Sequence, residues 1–237
     1  MQRVWISLEF KGVSYQWIEV DPYAKPTNLL EINPQGLIPA LKDGDWGSYE
    51  STVLMEYLED AHPSHHLLPD APKQRAHSRL WADHVNRKII PAFYHYLQAQ
   101  EEDRQVENGH ELKKHIGTLV DAADKEGPFF LGKEMSFVDV QLAPWLIRLT
   151  RVLKPYRGWQ DPEPGSRWAR WVEAVEENEH VKATTSTDEL YLDSYERYAG
   201  MLKDCFAWDD GGGLTKTENR PNTSQVANAI NAGRGLP

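Results

Sequence analysis

Three prolines, Pro63, Pro69 and Pro72, fall between His62 and Pro72, and the hydrophobic pattern changes across them. Each proline lacks a backbone donor and biases the residue before it away from the helix. No regular element is expected to run through this stretch. Before it, apolar residues come in short runs broken by Gly12, Asp21-Pro22, Pro26, Asn33-Pro34 and Asp43-Gly44-Asp45. After it, they recur at helical spacing with few interruptions. The chain is therefore expected to divide into a small mixed α/β unit over 1–61, a solvated linker over 62–72, an all-helical domain over 73–208 and a structureless tail over 209–237.

Within the first unit, Arg3–Lys11 reads as a helix, although the alternation of Val4, Ile6, Leu8 and Phe10 also permits a strand. Gly12 stops it in either case. Tyr15–Val20 alternates and carries β-favouring residues, so a strand is predicted. A short helix follows over Asn28–Glu31. Leu37–Leu41 and Trp46–Tyr49 read as strands joined by the Asp43-Gly44-Asp45 turn. Ser51–Asp60 reads as a helix burying Val53, Leu54, Tyr57 and Leu58. Beyond the linker, helices are predicted over 73–101 with a kink at Pro91, over 102–125, over 165–178 and over 188–206, with a turn around 181–187. Ser136-Phe137-Val138-Asp139 has the form of a capping box opening a buried helix. That role accounts for Asp139 without making it a catalytic acid.

Composition excludes several functions. The net charge is −10, which disfavours nonspecific binding to nucleic acid or to anionic membranes. Basic residues nowhere cluster with aromatics as a nucleic-acid face. No apolar run approaches the ~18 residues that span a bilayer. His62, His65 and His66 lack the companions and spacing of a metal site, so no metal is expected. Cys205 is the one cysteine. It allows no internal disulfide and fits a reducing, cytoplasmic location, and its apolar-aromatic setting reads as an inert thiol. Gly211-Gly212-Gly213 lacks the strand and the Gly-Lys-Ser/Thr of a phosphate loop, and no nucleophile elbow is present.

One stretch has the chemistry of a ligand site. Asn33-Pro34-Gln35-Gly36-Leu37-Ile38-Pro39-Ala40-Leu41 leads, after a short turn, to Tyr49-Glu50-Ser51. A proline ahead of a strand fits a tight turn that leaves neighbouring backbone groups free. A helix opening at Glu50-Ser51 offers its N-terminal N–H groups to a carboxylate. Together these predict a small anionic ligand. The same residues resemble the glutathione-binding region of glutathione transferases, nearest the omega class and its fungal and bacterial relatives. The resemblance implies a thioredoxin-like N-terminal α/β domain followed by an all-α helical bundle. It also implies that Pro39 is a cis proline and that Ile38 offers its backbone to the cysteinyl part of glutathione. Glu50 would meet the γ-glutamyl amino group, Ser51 its carboxylate, and Lys25 the glycyl carboxylate. Glutathione would be a co-substrate, transferred to or exchanged with a small hydrophobic or disulfide substrate, by a homodimer.

The chain departs from the resemblance at its start. The family's first strand and a Cys-Pro or Ser-Pro segment would precede the helix that begins near Gln2, and Met1 stands where that segment should be ending. A three-stranded sheet with one inner position vacant is therefore expected, and the thiol-activating residue is unknown. Ser7 and Tyr15 are the stand-ins within the chain. Trp81, His84, Arg87, Tyr94 and Trp145 are candidates for lining a second-substrate pocket. The alternative reading is a noncatalytic glutathione-binding or scaffolding protein of the same fold.

Overall fold

The computed structural model describes residues 1–21 and 23–200, and the backbone of 206–208 and 214–216. The N-terminal part holds α1 (Gln2–Lys11), α2 (Thr27–Ile32), β1 (Ala40–Asp43), β2 (Trp46–Tyr49) and α3 (Ser51–Ala61). Helix α1 ends at Gly12, whose φ of 64° is the left-handed C-terminal cap that glycine adopts without penalty. Val4 and Leu8 of α1 meet Leu54 and Leu58 of α3 in a small apolar cluster. Strands β1 and β2 pair antiparallel, with Ala40 opposite Tyr49 and Asp43 opposite Trp46.

The predicted strand over Tyr15–Val20 does not form, so the sheet has two strands here rather than three. The period-two signal was nonetheless real. Val13, Tyr15 and Trp17 are half-buried, whereas Ser14, Gln16 and Ile18 are exposed. Trp17 packs on Trp5 with ring centroids 4.6 Å apart, and the Trp5 indole N–H donates to the Tyr15 hydroxyl at 2.6 Å. Side chains hold the segment in place, but alternation alone does not supply a strand with a partner for its backbone ladder. Two further expectations shift. The first hairpin strand starts at Ala40, leaving Leu37–Pro39 outside it. On α3 the buried face is Leu54, Met55, Leu58 and Glu59, while Val53 is 51% exposed. Helix α3 is gripped from two sides, since Leu54 and Leu58 face α1 while Met55 reaches the main core. Its buried stripe is rotated accordingly.

The stretch 62–72 is not a solvated linker throughout. Leu67 and Leu68 are 2% and 1% exposed and join the main core. The Leu67 carbonyl accepts from the Phe137 N–H at 2.8 Å. The cause lies in Glu59, whose carboxylate accepts from the N–H groups of Leu67 and Leu68 at 3.1 and 3.0 Å. Lys11, also buried, pairs with Glu59 at 2.8 Å and donates to the carbonyls of His62 and His65. One buried ion pair thus ties α1, α3 and the connecting segment together.

The helical part comprises α4 (Pro72–His84), α5 (Ile90–Gln98), α6 (Glu102–Ala122), α7 (Phe137–Arg148), α8 (Lys154–Arg157), α9 (Arg167–Glu177), α10 (Glu179–Ala183) and α11 (Asp188–Ala199). The kink expected at Pro91 is a wide π turn over Val85–Ile89 just before it. A second such turn, Leu149–Leu153, precedes Pro155. The wider turn accommodates a residue with no N–H to give. The last helix ends at Ala199 rather than 206. Phe206–Trp208 instead pairs antiparallel with Leu214–Lys216, so the expected helical end and the structureless tail are both corrected there. Cys205 and the rest of the tail lie outside the described residues.

Asp139 acts as the capping residue expected, and does more. Its carboxylate accepts from the Ser136 N–H (2.7 Å) and hydroxyl (2.6 Å), the Phe130 N–H (2.9 Å) and the Trp171 indole (2.6 Å). It pins the start of α7 to the 129–132 turn and to α9. Ile6 and Met55 belong to the same continuous core as these helices, so the α/β part and the bundle share one interior.

Candidate functional site

The β1–β2 register decides where the predicted ligand residues stand. Because Ala40 faces Tyr49, the segments next outward, Ile38-Pro39 and Glu50-Ser51, leave the same end of the hairpin. Facing residues in an antiparallel pair lie about 5 Å apart, so the two segments emerge side by side. The Ile38–Pro39 peptide is cis, as the resemblance implied. Ile38 is exposed.

The turn before Ile38 is built by Asn33. Its side chain is buried, donates to the Leu37 carbonyl at 2.9 Å and accepts from the Gln35 N–H at 3.1 Å. Gly36 has φ of 63°, and a Cβ there would stand 2.4 Å from Cδ of Lys25. The positive φ favours glycine, and its bare Cα lets the Lys25 side chain lie across it. That placement lets the Lys25 ammonium donate to the Gln35 carbonyl at 3.0 Å, which leaves two of its three donors for a ligand. The sequence signal for the Asn33 turn was an Asn-Pro pair, whose side-chain amide closes a turn of this kind.

Glu50 makes the passage from β2 into α3 in one residue. Its φ of 73° and ψ of 116° are unusual for a side-chain-bearing residue, a conformation that costs about 1–3 kcal/mol. Its carbonyl accepts the first helical bond, from Leu54 at 2.9 Å. Ser51 is the first helical residue and caps nothing, because α3 has no side-chain cap. The first-turn N–H groups therefore point out of the hairpin end with their partial positive charge available. The hairpin is braced at its turn, and the start of α3 against α7. Trp46 stacks on Tyr57 at 4.2 Å, the Tyr57 hydroxyl donates to Asp43, and Gln141 of α7 donates to the Thr52 hydroxyl at 3.2 Å.

The stand-ins for a thiol-activating group are both engaged elsewhere. The Ser7 hydroxyl is fully buried and donates to the Arg3 carbonyl. The Tyr15 hydroxyl donates to Glu9 at 2.6 Å. The five candidates for a second-substrate pocket do not come together. Trp81 packs on Phe130 and His84, and the His84 ring sits against the His115 carbonyl. Arg87 pairs with Asp83 on the surface. Trp145 lies 4.4 Å beneath the Arg3 guanidinium, which burial pulls down to about 9. Tyr94 lines a cavity of about 130 Å³ shared with Arg148, Tyr191, Ser194, Tyr195 and Tyr198. Positions along the chain could not predict this, because the π turn at Val85–Ile89 changes the face that later residues present. Among the described residues no three His, Cys, Asp or Glu converge as metal ligands, and no helix is long and apolar enough to cross a membrane.

Residues 1–66 match the glutathione S-transferase N-terminal domain, and residues 100–174 match the glutathione S-transferase C-terminal domain. The crystal structure of glutathione transferase Omega 3C from Trametes versicolor superposes with a TM-score of 0.77 at 44% identity, covering 83% of this chain and 84% of that one. The chain belongs to the glutathione transferase superfamily. Glutathione S-transferase omega-1 of Sus scrofa is 30% identical over 150 residues, which are 62% of each chain. A stringent starvation protein A homolog of Pasteurella multocida is 32% identical over 158 residues, 66% of this chain and 73% of that one. As a glutathione transferase-superfamily fold, the present chain has a shortened N-terminal sheet. The hairpin end and the uncapped start of α3 are present beside it.

Proposed function

We propose that the chain binds glutathione at the end of the β1–β2 hairpin and acts as an omega-like glutathione transferase. It would transfer or exchange the thiol with a small hydrophobic electrophile or a disulfide. The observation that carries this reading is the register that brings Ile38-Pro39 beside Glu50-Ser51. An extended tripeptide lying there can pair its backbone with Ile38 as an added strand does. Its γ-glutamyl carboxylate meets Ser51 and the open first turn of α3. Glu50 is the counterion for the amino group, and Lys25 for the glycyl carboxylate. Homodimer formation and a cytoplasmic site of action complete the proposal.

Isothermal titration with reduced glutathione tests it. Saturable binding is expected, and Ser51→Ala should weaken it about tenfold, the worth of one hydrogen bond to a charged group. Because Ser51 caps nothing, the melting temperature of that variant should stay within about 2 °C of the parent. Absence of saturable binding by the parent chain would remove the assignment. A second reading, noncatalytic glutathione binding, is favoured by the engagement of the Ser7 and Tyr15 hydroxyls inside the fold. Turnover of a simple electrophile or a mixed disulfide, measured beside the titration, separates the two.

A further inference from the structure

The space between α5, α7 and α11 is lined by aromatic rings and one cation. Tyr94, Tyr191, Tyr195 and Tyr198 surround it, with Ser194 and Arg148 completing the wall. The Arg148 guanidinium lies 4.9 Å from the Tyr191 ring and 5.7 Å from the Tyr195 ring. Its Nε–H donates to the Tyr195 hydroxyl at 2.7 Å, and Nη1 donates to Gln2 at 3.0 Å and to the Pro144 carbonyl. The remaining nitrogen, Nη2, has no acceptor among the described residues, and it is not one of the fully enclosed unpaired atoms. No carboxylate among the described residues pairs with Arg148; Arg3, buried against the same helix through the Gln141 carbonyl, likewise has none, whereas Lys11 has Glu59.

A guanidinium drawn out of bulk water without an anion is costly, and ring faces offset only part of that cost. The fork of Arg148 is planar, and it suits a carboxylate or a similar planar anion. Beside it is room for one ring, since a cavity of ~150 Å³ is known to take a benzene molecule and this one measures about 130 Å³. The Tyr94 hydroxyl is engaged with Tyr195 and keeps that wall neutral. Burial, and then the neighbouring Tyr195, raise its phenol well above the usual range.

We propose that this cavity binds a planar aromatic carboxylate, with the ring among the tyrosines and the carboxylate on Arg148. Through Gln2, Arg148 is joined to the first turn of α1, where the resemblance to glutathione transferases puts the reacting thiol. That the bound acid is the second substrate rests on the transferase reading above; that it binds does not.

Titration of the full chain with benzoate, benzamide and acetate, followed by ligand-observed NMR, tests the site. Benzoate should bind at least about tenfold more tightly than either analogue, the worth of one charge-assisted contact. Arg148→Met should bring benzoate and benzamide within about twofold of each other. Leu190→Trp, which fills the half-buried edge of the cavity, should abolish benzoate binding while leaving Arg148 in place, and this variant decides the matter if Arg148→Met does not fold. Equal affinity for benzoate and benzamide, acetate binding as well as benzoate, or benzoate binding retained by Leu190→Trp would each overturn the proposal. Benzoate binding in a chain that fails to take glutathione would sink the transferase reading and leave this site standing. Glutathione binding with no preference for benzoate would do the reverse.

Discussion

Lys11→Met is expected to destabilise the chain by about 3–5 kcal/mol, the usual penalty for leaving one member of a buried ion pair uncompensated. In a chain of this length that lowers the melting temperature by roughly 10 °C. The loss has three parts. Glu59 keeps its buried carboxylate with only the His66 ring, at 3.2 Å, in place of the ammonium at 2.8 Å. The carbonyls of His62 and His65 lose their donor. The segment carrying Leu67 and Leu68 into the core is then less firmly held. Glu59→Gln added to Lys11→Met should recover about half of the loss, because the amide oxygen still accepts from Leu67 and Leu68 without carrying a charge. A melting temperature for Lys11→Met within 2 °C of the parent would show that the pair does not hold the segment.

The same pair sets a pH dependence. Burial acts to raise the Glu59 carboxyl, but the hydrogen bond from Lys11 and the backbone donors of Leu68 and Leu67 outweigh it and leave the group below its ordinary value of 4.5. A carboxylate held down in the folded state stabilises fully above its unfolded pKa. That contribution is lost as pH falls from 4.5 through the lower folded value. Parent and Lys11→Met should therefore converge in stability as the solution is acidified below pH 4.5. Urea unfolding at a series of pH values checks this, and a constant difference down to pH 3 would contradict it.

Asp139→Asn is expected to cost about 3 kcal/mol, or roughly 6–12 °C in melting temperature. All four partners of the carboxylate donate to it. An amide nitrogen placed at Oδ2 confronts the Ser136 N–H, and placed at Oδ1 it confronts those of Phe130 and Trp171, so at least one buried donor loses its acceptor in either orientation. Here burial dominates the acid's own titration, pushing Asp139 up to about 6 against those donors. A raised carboxyl has the opposite sign to Glu59. Its charged form costs stability above pH 6, and the cost is relieved as pH falls from 6 toward the unfolded value of 3.8. The neutral amide escapes that cost, so the deficit of the variant should widen as pH falls from 6 to 4, and a variant as stable as the parent at pH 4 would mean that the box does not anchor α7.

Much of this was legible because it is local. The capping box at Ser136–Asp139, the Asp43-Gly44-Asp45 hairpin turn and the helix start at Ser51 depend on residues close together in sequence, and each stands where its pattern put it. The placing of Ile38-Pro39 beside Glu50-Ser51 was legible for the same reason, since a short hairpin returns its two flanks to one end. What failed was non-local. Tyr15–Val20 has the alternation of a strand, but the ladder a strand needs belongs to another segment. Leu67 and Leu68 sit in a proline-rich polar stretch, and only the Lys11–Glu59 pair, brought together from two helices, explains their burial.

The sequence by itself determined the division into a mixed unit and a helical bundle, and the order of the residues at the hairpin end. Periodicity and turn chemistry act over a few residues and survive in isolation. Tertiary structure alone decided that the sheet stops at two strands, that the connecting segment enters the core, and that Arg148 faces four tyrosines without a carboxylate among the described residues. Pairing, burial and charge balance are properties of surfaces that meet only when distant segments fold together.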